Sequence, residues 1–191
     1  MPNWCENQLV MSGPLKSVEA VLSGMKTIDE NGKEQLKLLE PFIPLPDSLE
    51  DNEWYTWCNE NWGTKWDIHS PSIVKRFFSI EEIDGNRESI EFIRIDFDTA
   101  WSPPEAGIIT ISKMFPDVVF FLYYIEYGMD FQGFIRVMNG QVLNADHVNT
   151  IIPDADVYIN THESWDDSFL TNEEIARVDD SFDPPTNKEK S

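Results

Sequence analysis

The run Val118-Val-Phe-Phe-Leu-Tyr-Tyr-Ile125 is eight consecutive apolar or aromatic residues, between Pro116-Asp117 and Glu126. It is far shorter than the roughly 20 residues of a membrane span. Its β-branched and aromatic content favours strand over helix. Because it is apolar at every position, it has no face suited to water, and is expected as a central strand buried on both sides. The rest of the chain must supply neighbouring strands and covering helices. A chain of 191 residues is long enough to do so without disulfide or metal staples.

Those neighbours are readable. Asn7 to Gly13 is a short apolar stretch that suits a first strand. Leu15, Val18, Val21, Leu22 and Met25 recur at helical spacing. Pro14 fits the first turn of that helix, where its missing N–H costs nothing; the helix is expected to end near Asp29, before Asn31-Gly32. Ser89 to Trp101 is the strongest alternating signal, with Ile93, Ile95 and Phe97 between Arg94, Asp96 and Asp98. Upstream, Ile90 and Phe92 alternate in the opposite phase, which predicts a β-bulge at Phe92-Ile93. Residues near Val74 to Ile83 are the expected hairpin partner. Ser102-Pro-Pro-Glu105 has the spacing of a capping box and predicts a helix to about Phe115. Phe131 to Met138, Asn139-Gly140 and Gln141 to Asn144 form a second expected hairpin.

The order strand, helix, strand, strand, helix, strand predicts an α+β fold, a ferredoxin-like (split βαβ) sandwich. The alternative is another α+β sandwich with helices on one sheet face. The domain is expected over residues 1–145, with an insertion at about 30–70. In that insertion Pro41, Pro44 and Pro46 forbid regular structure around Phe42, Ile43 and Leu45. Four of the seven tryptophans, Trp54, Trp57, Trp62 and Trp66, then fall within thirteen residues. Trp54, Trp57 and Cys58 fit one helical face; Gly63 breaks it, and Thr64 to Ile68 can extend as a strand. The structural account is an aromatic mini-core; the functional one is a pocket for an aromatic or peptide ligand.

Charge separates the two ends. Residues 1–145 carry 23 acids and 11 bases, whereas residues 146–191 carry 12 and 3, in a chain of net charge −21. The second segment is expected to be an acidic C-terminal extension. So negative a chain is poorly suited to bind nucleic acid or an anionic membrane directly. Met1 to Glu6 lacks the basic and apolar parts of a secretory signal, so the expected address is the host-cell cytoplasm. Cys5 and Cys58 are far apart, belong to no Cys-x-x-Cys pair, and are expected as small buried thiols. His69, His147 and His162 show no metal-ligand spacing. No metal and no cofactor are expected.

Three Trp-bearing stretches carry a family resemblance. Met1-Pro-Asn-Trp-Cys-Glu-Asn-Gln-Leu9, Asn61-Trp-Gly-Thr-Lys-Trp-Asp67 and Thr99-Ala-Trp-Ser-Pro-Pro104 resemble the signatures of a family of phage and plasmid proteins, the YubB-like or Api-type proteins. Tyr124-x-Glu126-x-Gly128 and Phe131-x-Gly133 also fit. The resemblance covers roughly residues 1 to 140. It implies a ferredoxin-like domain of mobile-element origin, and no established catalytic residues.

The chemistry left open is limited. Trp4, Trp62, Lys65, Trp66 and Trp101 are the expected aromatic binding surface if the three stretches converge. Asp96 and Asp98 share a strand face and could bind magnesium for a phosphodiesterase, although alternating charges usually mark a solvated face. Removal of Met1 would make Pro2 a nucleophilic secondary amine. There is no Gly-rich phosphate loop or nucleophile elbow, and no catalytic residue is assigned. The leading expectation is a non-enzymatic acidic module that modulates or inhibits a host nucleic-acid-binding or defence protein, as a nucleic-acid mimic. Its expected partner is a basic host protein, met by Asp154, Asp156, Glu163, Asp166, Asp167, Glu173, Glu174, Asp179, Asp180 and Asp183. The alternatives are a small-ligand or nucleotide-binding domain using a Trp-rich pocket, or the metal-dependent phosphodiesterase.

Overall fold

A computed structural model describes residues 2–50, 53–83 and 86–151. In chain order the elements are β1 (Trp4–Pro14), α1 (Leu15–Met25), β2 (Lys26–Ile28), β3 (Glu34–Leu36), α2 (Trp54–Asn61), β4 (His69–Ile83), β5 (Asn86–Ala100), α3 (Glu105–Met114), β6 (Val119–Glu126), β7 (Phe131–Met138) and β8 (Gln141–Val148). Six strands form one sheet in the order β4-β5-β1-β6-β7-β8, and neighbouring strands in it pair antiparallel. The first four have the arrangement of a split βαβ unit, with β1 and β5 inside. The apolar run is β6, an interior strand between β1 and β7.

Alternation assigns the two faces. Leu9, Met11, Ile93, Ile95, Phe97, Phe120, Leu122, Tyr124, Ile135 and Val137 lie in the buried cluster. Val18, Val21, Leu22 and Met25 of α1 join the same cluster, as do Ile108 and Ile111 of α3. Burying these aliphatic side chains gives about 1.5–3 kcal/mol each before entropy is counted. On β6 the burial alternates: Phe120, Leu122 and Tyr124 are buried, while Val119, Phe121 and Tyr123 are half-buried.

Several local expectations are corrected. There is no bulge at Phe92-Ile93, because β5 stays in unbroken register with β1 from Ile90 to Ala100. The apparent phase slip is an exchange of residue types between faces. Glu91 occupies a core-face position beside Gly13 of β1, and its buried carboxylate accepts from Arg76 of β4. Arg76 also reaches Glu19 of α1 at 2.9 Å. The irregularities of this hairpin lie on β4 instead, between His69 and Ser72 and between Ile73 and Lys75.

α1 stops at Met25 rather than near Asp29 because β2 begins at Lys26 and folds back on β3. The turn between them is held by Asp29, whose Oδ1 accepts the amides of Asn31 and Lys33. The capping box does not form. Pro104 caps α3 without a side-chain bond, and the Ser102 hydroxyl donates to Gly63 O at 2.6 Å instead. Thr64 to Ile68 is a loop, and β8 continues to Val148, past the expected Asn144. Asn139 and Gly140 both have positive φ, as the two-residue hairpin turn between β7 and β8 requires. Among the described residues no helix is long and apolar enough to cross a membrane.

Candidate functional site

The three Trp-bearing stretches meet at one end of the sheet. Trp4 of β1 lies opposite Ala100 of β5. The Trp101 amide donates to Asn3 O at 3.0 Å, and the Thr64 hydroxyl donates to Ala100 O at 3.0 Å. The Gly107 amide of α3 donates to Trp62 O at 3.1 Å. Beneath them Asn7, buried, gives its amide to Cys5 O at 2.7 Å and Thr99 Oγ1 at 2.8 Å. Gly63 permits the close approach. Its φ is +85°, and a Cβ there would sit 3.0–3.2 Å from Pro103 O and the amides of Glu105 and Ala106.

Convergence does not make all four tryptophans a surface. Trp62 is 4% exposed, packs edge-on against Trp57, and donates its indole N–H to Ile43 O at 2.9 Å. This corrects the expectation for Trp62: its ring completes the core, and its one polar group is satisfied there. Trp4, Trp66 and Trp101 are 37%, 41% and 40% exposed. Trp101 has φ +74°, a left-handed conformation that costs a non-glycine residue about 1–3 kcal/mol and recurs at binding sites. Lys65 Nζ lies 4.4 Å from the centroid of the Trp66 ring.

Asp67 ends the motif as a structural clamp. Its Oδ1 accepts the amides of Leu38, Leu39 and Ile68 at 2.7–3.0 Å, and Oδ2 accepts that of Glu40 at 2.8 Å. Beyond it a cleft of about 470 Å³ is lined by Glu34, Lys37, Asp67, His69 and Ser70 among others, and by no tryptophan.

His69, Ser70 and Asp98 are not arranged as a nucleophile relay. Trp4 stacks on His69, with centroids 4.7 Å apart. Ser70 Oγ at 2.9 Å and Asp98 Oδ2 at 4.0 Å both approach His69 Nδ1. A nucleophile relay needs the nucleophile and the orienting carboxylate on opposite ring nitrogens of the histidine base. Burial pushes the Asp98 carboxyl above its ordinary range, partly offset by His69. Asp96 is engaged by Arg94 through two bonds of 2.8 Å. No group of three or more His, Cys, Asp or Glu side chains suited to a metal occurs among the described residues. Burial, with the Glu126 charge nearby, drives the Cys5 thiol far above its ordinary range; Cys58 is also raised by burial. Both are free, buried thiols.

Sequence reasoning missed three arrangements. Trp54 and Tyr55 stand beside Lys65, with Nζ 5.8 and 5.6 Å from their ring centroids. The Tyr124 hydroxyl lies 3.0 Å from His147 Nδ1. Glu126 accepts the Gly128 and Met129 amides, closing the β6–β7 turn. Only Glu126-x-Gly128 left a local signal; the other two depend on contacts distant in sequence or on a turn. The acids expected to meet a partner, Asp154 to Asp183, lie outside the described residues.

A crystal structure of a protein api92 from Yersinia pseudotuberculosis is similar over 78% of this chain and 98% of that chain, with a TM-score of 0.53 and 9% identity. At that identity the likeness is one of fold. Residues 77–169 match the family model of the ferredoxin-like domain in Api92-like protein. The match begins within β4, takes in β5, α3 and β6 to β8, and continues past the last described residue. No curated protein matches the chain.

Proposed function

We propose that this chain is a non-enzymatic binding module of phage or plasmid origin. It acts in the host cytoplasm on a basic nucleic-acid-binding or defence protein, occupying the site where that protein takes nucleic acid. The observation that carries the reading is the aromatic end of the sheet. Three tryptophans remain 37–41% exposed there, one of them in a strained backbone conformation, although the same segments bury Trp62. Exposed, rigidly mounted tryptophan is characteristic of interface anchors. A net charge of −21 selects the partner's sign and speeds its encounter.

The test is capture of host-lysate proteins on the immobilised full chain at low and high salt. The expected catch is a basic nucleic-acid-binding protein that salt releases and competing nucleic acid displaces. Trp101→Gly should reduce that capture at least tenfold, while stability changes by less than about 1 kcal/mol, because glycine accepts φ +74°. If no basic protein is recovered, or Trp101→Gly captures it undiminished, the reading fails.

A further inference from the structure

Lys65 follows the turn at Gly63, and its ammonium group comes back over α2. Nζ lies 4.4 Å from the centroid of Trp66, 5.6 Å from Tyr55 and 5.8 Å from Trp54. Trp54 and Tyr55 stand at 83° to each other with centroids 5.9 Å apart. The nitrogen therefore faces two nearly perpendicular rings and a third beside them, all within the roughly 6 Å at which a ring quadrupole holds a cation. Lys65 has no ion pair or hydrogen bond through its ammonium among the described residues.

We propose that Trp54, Tyr55 and Trp66 form a cage for a methylated ammonium group, with Lys65 as its displaceable resident. A primary ammonium is strongly hydrated and has three N–H donors that aromatic faces satisfy poorly. A trimethylated nitrogen has no N–H to leave unpaired and gives up less hydration on entry. The cage is open to it, since Tyr55 and Trp66 are 48% and 41% exposed. Its frame is rigid. Trp54 and Tyr55 begin α2, while the Asp67 clamp and the Thr64 bond to Ala100 hold the other wall. The chain's negative charge raises the local concentration of cations.

This deepens the interaction reading and rests on it only for the identity of the partner. The test uses the full chain and two probes, tetramethylammonium chloride and a short basic peptide carrying trimethyllysine, followed by tryptophan fluorescence. Lys65→Ala should bind both about tenfold more tightly than the unaltered chain. Adding Trp66→Ala, or Tyr55→Ala if that variant melts early, should abolish the saturable response. A peptide bound more tightly than the free ion assigns the ligand to a protein; equal affinity assigns it to a free quaternary amine. The proposal is overturned if Lys65→Ala shows no saturable response, or responds equally to the neutral isostere 3,3-dimethyl-1-butanol. Cage binding without lysate capture would refute the proposed function alone.

Discussion

Asp67 and Asp98 show how two aspartates within reach of the same end of the sheet can have opposite effects on stability. Asp67 holds four amides from two separate stretches of chain. Asp67→Ala should cost about 2–4 kcal/mol in urea unfolding, because Leu38 and Leu39 are buried and their amides would lose their acceptor. Asp67→Asn should cost less, since one oxygen can still serve the three amides that Oδ1 now accepts. Asp98 is a net liability when charged. Its folded pKa is raised above the ordinary 3.8, so the folded state holds the proton more tightly than the unfolded one. The corresponding stability is present below pH 3.8 and is lost as pH rises through the raised folded value. Asp98→Asn should therefore raise the melting temperature near neutral pH and lose that advantage near pH 3, as a pair of thermal melts would show. Neither role was legible in the residue itself. The alternation around Asp96 and Asp98 suggested a solvated face or a metal pair, and only the Arg94 bonds and the local burial decide between such accounts.

At the scale of elements, sequence legibility follows how local the cause is. The β7–β8 hairpin is written in Asn139-Gly140, and the faces of α1 and α3 in their apolar spacing. The β2–β3 hairpin escaped because three-residue strands carry no periodicity to read. The opposite phase upstream on β5 resembles a bulge in sequence because an ion pair across three elements lets Glu91 sit on the core face. β7 gives a test of such non-local causes. A Cβ on Gly133 would lie 2.5 Å from Tyr124 Oη and from Asp146 O of β8. Gly133→Ala should destabilise the chain by about 2–3 kcal/mol. It should also move the His147 ring resonances, because the Tyr124 hydroxyl that meets Nδ1 must shift.

For the whole molecule, topology outweighs composition. β1 pairs with β5 and β6, so the centre of the sheet is built from contacts about 76 to 119 residues apart in sequence. Folding dominated by such pairings is slow, on the order of milliseconds to seconds. Stopped-flow refolding should show that range, and a main phase in microseconds would contradict it. The split βαβ order was readable because each element has its own pattern. The aromatic end was readable only as three motifs in a row, since which tryptophan is buried depends on how the chain returns. The position of β1 also bears on synthesis. Its apolar face cannot be completed until β6 has emerged, roughly 6 to 20 s later at about 5–20 residues per second. A growing chain thus presents a central strand that lacks one of its two partners until then, and yield in cells should depend on holdase chaperones more than on the stability of the finished fold.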